Sequence, residues 1–115
     1  TKYMNNTFLA TKVSIMNEFK LLCNRIGANW EDASKCFALD ERIGTSHLDV
    51  PGHDGKLGYG GTCFPKDVNA LLTFSKTYGI ELNSIMGGWK TNLKVRPEKD
   101  WEKLHGRSVS DNNKR

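Results

Sequence analysis

From Lys2 to Ile26 the chain runs without a proline or a glycine, and its apolar residues recur at helical spacing. Phe8, Ile15, Phe19, Leu22 and Ile26 step by seven, four, three and four, while Leu9, Val13, Met16 and Cys23 form an adjacent stripe. This pattern predicts one long helix with a wide apolar face, as for a helix buried between others or in a dimer. Gly27 stands where a left-handed residue ends a helix. A helix of this length obliges the remaining elements of a 115-residue chain to pack along it as shorter pieces of one domain.

Those pieces are legible. Asn29 is a good N-cap for a second helix ending near Leu39, with Trp30, Ala33, Phe37 and Cys36 on its inner face, and the short link predicts an αα-hairpin. Pro65 to Tyr78 reads as a third helix, with Val68, Leu71, Leu72 and Ser75 inward and Gly79 as its stop. A fourth begins near Glu81 with a stripe of Leu82, Ile85, Met86, Trp89 and Leu93. Within it, Gly87-Gly88 lowers propensity and predicts close helix packing or a bend, and Pro97 should break or kink it at Arg96. A short segment, Glu98 to Leu104, resumes with Trp101 and Leu104 inward. No strand pattern and no repeat appears. The expected fold class is all-α: one long helix packed with three or four shorter ones, plus a long glycine-rich loop from Asp40 to Phe64. That loop holds Gly44, Gly52, Gly55, Gly58, Gly60 and Gly61 of the chain's 11 glycines, and a stretch so long without a period is usually functional or disordered. His47 and His53 within it read as solvated loop residues.

Composition narrows the function. The net charge of +4 is mild and scattered, with no basic stripe for nucleic acid. No stretch approaches the length of a membrane span. Cys23, Cys36 and Cys63 are odd in number and widely spaced, with no Cys-x-x-Cys, and His47, His53 and His105 do not fall at zinc spacings, so neither a disulfide framework nor a metal is expected. A reducing, cytoplasmic setting follows as the default.

The decapeptide Gly58-Tyr-Gly-Gly-Thr-Cys-Phe-Pro-Lys-Asp67 carries the chemistry. Glycines allow close backbone approach, and Pro65 suits a first helical turn. Cys63 therefore stands at a helix N-terminus, where the dipole favours a thiolate, and Asp67 falls on the same side one turn later. This arrangement suits an activated nucleophile beside a carboxylate. A tight turn holding a buried free cysteine accounts for the same residues equally well. Gly58-x-Gly60-Gly61 is not a dinucleotide fingerprint, since its spacing is wrong and no strand precedes it.

Three segments in order resemble one family. The decapeptide resembles the active-site signature of the UDP-glucose/GDP-mannose dehydrogenases, Asp40-Glu-Arg-Ile-Gly44 resembles the segment before it, and Lys2-Tyr-Met-Asn-Asn-Thr-Phe-Leu-Ala10 resembles the start of their long central helix. The resemblance covers most of residues 2 to 93 and is to the central, dimer-forming domain, most like that of members acting on UDP-glucose. It implies a fold like the C-terminal domain of 6-phosphogluconate dehydrogenase, a homodimer through the long helix, and a nucleotide-sugar substrate. It also implies NAD, bound mainly by a domain absent from this chain. The implied reaction is a four-electron oxidation of a sugar C6 alcohol to a carboxylate, through a thiohemiacetal and a thioester on Cys63. Asp67 matches the carboxylate that assists proton transfer, and Lys2 and Asn6 match the pair steadying the oxyanion. Tyr59, Gly60 and Gly61 match the segment lining the sugar pocket, and Arg42 matches an arginine that reaches a neighbouring subunit's substrate.

The expected organisation is a central domain over residues 1–107 and a disordered polar tail over 108–115. Thr1 is not an initiator methionine and a helical pattern is already running at residue 3, which predicts a piece of a longer protein, inactive alone. Past Leu93 no βαβ pattern for a UDP-binding domain follows, and the polar tail predicts that the protein stops there. The alternative is a homodimerisation module, without catalysis, from a degenerate or truncated dehydrogenase.

Overall fold

A computed structural model describes residues 1–104, in which all regular structure is helical. The expected tail and His105 lie outside the described residues, as does the side chain of Leu104. The elements are α1 (Lys2–Ile26), α2 (Trp30–Ala38), α3 (Phe64–Lys76) and α4 (Asn83–Val95), followed by a short 3₁₀ turn at Asp100–Leu104. With 25 residues, α1 is about 37 Å long and sets the 43 Å long axis of the molecule. It ends at Gly27, whose φ of 78° is the expected left-handed stop. Asn29 caps α2 as expected, its side chain accepting from the Asp32 N–H.

Of the two apolar stripes expected on α1, the one through Val13, Met16 and Cys23 packs inward and the other does not. Thr7, Ala10, Ser14, Met16 and Asn17 are its buried residues, whereas Phe8, Ile15, Phe19, Leu22 and Ile26 are exposed. The reason lies in how closely α4 approaches. Gly88 carries no side chain, the Ser14 hydroxyl donates to its carbonyl at 2.7 Å, and a Cβ there would meet Ser14 and Thr11 at 3.4 Å. Only small or compact polar residues fit at this contact, and the Phe8, Ile15, Phe19, Leu22 and Ile26 stripe turns outward. Gly88 therefore marks close packing, one of the two readings expected for the glycine pair, while Gly87 has open space around it. On α2, Trp30 packs inward and Phe37 meets Phe19 edge-on, but Ala33 and Cys36 are exposed, because so short a helix touches the rest along one edge only.

Two clusters form the core. One joins Ala10, Tyr59, Val68 and Leu72 with Phe64, Ile85, Met86 and Trp89 around them. The other joins Met16, Trp30, Leu48 and Val50 with Cys23, Phe37, Ile43 and Leu57. Both draw on the glycine-rich loop, which is thus a core element of the fold, despite its lack of periodicity. Trp101, on the 3₁₀ turn, is buried against Trp89, as expected. The helix boundaries differ slightly from the expected ones: α3 begins at Phe64 and ends at Lys76, and α4 begins at Asn83.

The two neighbouring glycines of α4 should therefore respond oppositely. Gly87→Ala is expected to raise stability by about 0.5–1 kcal/mol through helix propensity. Gly88→Val is expected to lower it by about 1–3 kcal/mol by forcing α1 and α4 apart. Urea titrations of both variants would measure the difference.

Candidate active site

Residues 57 to 60 cross the helices without a strand partner, and three buried polar side chains take its place. Asn17 of α1 accepts from the Gly58 N–H at 3.0 Å. Asn92 of α4 accepts from the Tyr59 N–H at 2.7 Å and donates to the Tyr59 carbonyl at 3.0 Å, reproducing a strand-like pair with one amide. Arg96, at the end of α4 and 1% exposed, donates from Nε to the Leu57 carbonyl at 2.9 Å. Gly58 is required twice over, since its φ is 69° and a Cβ would run into Asn92 and Val95. Asn17, Asn92 and Arg96 were not among the site residues read from the sequence. Their signal was there: Ile85, Trp89, Asn92 and Arg96 step by four, three and four, so two polar residues interrupt an apolar stripe. A polar side chain on a buried face needs a partner.

The held segment leads into α3. Cys63 is the N-cap residue, Pro65 occupies the first turn, and the Asp67 N–H donates to the Cys63 carbonyl at 2.9 Å. The cysteine is exposed and a free thiol, with Thr62 Oγ1 3.7 Å from its sulfur. Asp67, one turn on, is completely buried. Its Oδ2 accepts from Asn6 Nδ2 of α1 at 2.7 Å, and its Oδ1 has no hydrogen-bond partner among the described residues. Residues separated by most of the chain thus converge: Cys63 and Asp67 on the first turn of α3, and Asn6 on the first turns of α1. Lys2 is one turn before Asn6, with its side chain in solvent.

The other expected residues are placed differently. Tyr59 is a core residue, 6% exposed, its ring against Phe64 and Trp89, and burial pushes its phenol well above the usual value. Gly60 leaves no room for a Cβ beside Arg96 and Asp100, while Gly61 has open space and a φ of 80°. Arg42 is not joined to the group around Cys63. It forms a two-pronged ion pair with Asp40, which holds that carboxyl below the usual range, and it lines an apolar groove of about 270 Å³ with Phe8, Ile15, Met16, Phe37 and Ile43. His47 is exposed with its ring against Phe64, the residue after the cysteine, and His53 is exposed. Among the described residues no group of three or more His, Cys, Asp or Glu is placed to hold a metal ion, and no helix is long and apolar enough to cross a membrane.

Around the loop, Asp54 accepts from the Lys56 N–H at 3.0 Å and from Arg96 Nη2 at 2.6 Å. Partial burial works against the charged form, but these two groups outweigh it and hold the carboxyl below its ordinary value of 3.8.

Residues 1–94 match the family model described as the UDP-glucose/GDP-mannose dehydrogenase family, central domain. The chain is 43% identical over 96 residues to a UDP-glucose 6-dehydrogenase of Rickettsia typhi, covering 84% of this chain and 21% of that protein. It is 40% identical over 95 residues to the UDP-glucose 6-dehydrogenase TuaD of Bacillus subtilis, covering 83% and 20%. Against a UDP-glucose 6-dehydrogenase of Pseudomonas aeruginosa it is 46% identical over 81 residues, covering 70% and 17%. The chain therefore spans about a fifth of the length of these curated relatives.

Removing the Asn6 amide strands a buried carboxylate oxygen. Asn6→Ala is expected to cost about 1–3 kcal/mol of stability, against less than about 0.5 kcal/mol for the exposed Lys2→Ala, measured by chemical denaturation. A second expectation concerns pH. Because Asp54 is held below 3.8, its contribution is fully present above 3.8 and is lost as pH falls through its lower folded value. Asp54→Asn should therefore be less stable than the parent chain near neutrality, and the gap should close in acid.

Proposed function

The chain belongs to the UDP-glucose/GDP-mannose dehydrogenase family, and on that premise we propose that it is the central domain of a nucleotide-sugar dehydrogenase, with Cys63 as the covalent catalyst for oxidation of a UDP-glucose-like C6 alcohol to a carboxylate. The observation that carries this reading is the convergence of an exposed Cys63 at the start of α3 with a buried Asp67 tied to Asn6 of the long helix. A merely structural cysteine would not need a fully buried carboxylate one turn away, with one oxygen fixed and the other still able to accept.

In this proposal the Cys63 thiolate adds to the C6 aldehyde, forming a C–S bond and placing negative charge on the aldehyde oxygen. The Lys2 ammonium and the second N–H of the Asn6 amide steady that charge, as groups spaced one helical turn apart on α1. Once the adduct is oxidised to a thioester, water attacks its carbonyl, the C–S bond breaks, and the carboxylate leaves with the thiolate regenerated. The free Asp67 oxygen orients that water and takes up its proton. Gly61, with open space around it, keeps the approach to Cys63 free of a side chain, and Gly60 beside it offers backbone to the sugar pocket. The described residues do not fit NAD: they include no strand, and Gly58 to Gly61 is packed on α4 instead of opening a helix after a strand. NAD, which supplies the hydride acceptor, is assigned to another part of the protein.

The outward stripe of α1 supports a homodimer. Met4, Phe8, Leu22 and Ile26 are 57–71% exposed, an apolar face too continuous for an isolated chain in water. The apolar groove beside Phe8 and Ile15 continues this face, and Arg42 stands at its edge, where it would reach towards a second subunit's substrate. A reducing, cytoplasmic setting would keep the three free cysteines as thiols.

In the parent enzyme, two NADH are expected per UDP-glucose, and Cys63→Ser should lower kcat by about 10³-fold or more. A folded, NAD-binding enzyme that turns over no UDP- or GDP-sugar would refute the catalytic reading. Light scattering should give a dimer for this chain, and Phe8→Lys with Phe19→Lys should give a monomer.

A further inference from the structure

Arg96 has a place in the fold that stability alone does not explain. Its guanidinium is buried and forks in three directions. Nε donates to the Leu57 carbonyl at 2.9 Å, Nη2 donates to Asp54 Oδ2 at 2.6 Å, and Nη1 faces Asp100 Oδ1 at 3.5 Å. Lys56 lies 3.6 Å from the other oxygen of Asp100. Gly60 sits directly against this group, where any Cβ would strike Arg96 Nη1 and Asp100. One planar side chain therefore bonds the Asp54 turn and the Leu57 carbonyl, packs against the backbone at Gly60 and faces Asp100 of the 3₁₀ turn, with Nη1 left without a hydrogen-bond partner among the described residues. Asn92, one turn earlier on the same face of α4, holds both backbone groups of Tyr59.

Such a buried, multiply paired arginine is expensive. Apolar residues in place of a buried ion pair are often neutral or stabilising, so stability gained from the pair does not by itself account for this arrangement. The geometry states a task. Only Gly61 and Thr62 separate Gly60, packed against Arg96, from Cys63, and from Cys63 onward the backbone is locked into α3 by the Asp67 N–H. A displacement of Gly60 has two residues in which to dissipate, one of them a glycine in open space with φ 80°.

We propose that Arg96 is a positioning residue: acting through Leu57, Asp54 and Gly60, it sets the place of the Gly60–Cys63 turn, and with it the approach of Cys63 to its substrate. The inference rests on the proposed function only in naming Cys63 as the reacting group. The fork is essential to the role. A lysine brings one compact charge without the planar set of donors, so it satisfies either the carbonyl or the carboxylate, but not both in fixed geometry. Asp54, half-exposed, is the outer arm of the clasp and can be altered without emptying the core.

The test uses Arg96→Met, Arg96→Lys and Asp54→Asn in this chain, with two readouts that need no turnover. These are amide hydrogen exchange residue by residue, and the rate at which iodoacetamide alkylates Cys63, followed by mass spectrometry of its peptide. Arg96→Met should speed exchange at Gly58 and Tyr59 by about tenfold or more while the amides of α1 and the middle of α3 keep their rates. The Cys63 alkylation rate should change by about threefold or more. Arg96→Lys should resemble Arg96→Met, and Asp54→Asn should show the same local pattern with smaller amplitude. Unchanged loop exchange and unchanged Cys63 alkylation in both Arg96 variants would overturn the proposal, as would an equal rise at every amide, which marks general destabilisation. If Arg96→Met does not fold, Asp54→Asn decides: a rise confined to residues 54–60 supports the clasp, and no rise overturns it. In the parent enzyme, Arg96→Lys should lower kcat by about tenfold with KM nearly unchanged. If even the unaltered enzyme turns over no nucleotide sugar, the proposed function fails while the exchange and alkylation data still decide the clasp.

Discussion

A loop that packs into the core of an all-helical domain must find hydrogen-bond partners for its backbone without a strand to supply them. Here that constraint falls on residues 57 to 60, and the side chains of Asn17, Asn92 and Arg96 meet it. Their placement explains much of the rest. Asn17 and Asn92 must lie on the inner faces of α1 and α4, which fixes the rotation of both helices. Arg96 must lie where α4 ends, beside the helix break that Pro97 imposes. The turn that presents Cys63 is then the continuation of a segment whose backbone is already spoken for.

The same constraint accounts for the division of α1 into two faces. Its inner face carries Thr7, Ala10, Ser14 and Asn17, small or polar residues that let α4 approach to the contact between Ser14 and Gly88. Its outer face carries most of the large apolar residues, Met16 being the buried exception. An isolated domain would reverse this arrangement, because burial of apolar area is the main favourable term in folding. The inversion is what the proposed homodimer would require of α1, with its inner side given to geometry and its outer side free to meet a second copy.

Much of the fold was legible in the chain. Four helices, the Gly27 stop, the Asn29 cap and the placement of Cys63 at the start of α3 all follow from local chemistry: propensity, capping and the fixed φ of proline. The direction in which α1 faces was not. Hydrophobic spacing identifies an apolar stripe but does not say whether it meets the same chain or another surface. The core role of Tyr59, Leu48 and Val50 was hidden for a related reason, since they belong to a loop without a period and their burial comes from distant helices. Of the candidate site, the neighbourhood of Cys63 and Asp67 was visible because four residues make one helical turn. The link from Asp67 to Asn6 spans 61 positions, and nothing in local spacing carries it.

The amino-acid sequence by itself determined the elements and the turn that carries Cys63, because helix starts, stops and the i to i+4 relation depend on neighbours along the chain. Only the tertiary structure decided which face of α1 is inside, where Tyr59 goes, and that Asn92 and Arg96 hold the loop. These depend on backbone groups left unpaired by one part of the chain meeting side chains from another, and that match exists only once the helices have packed.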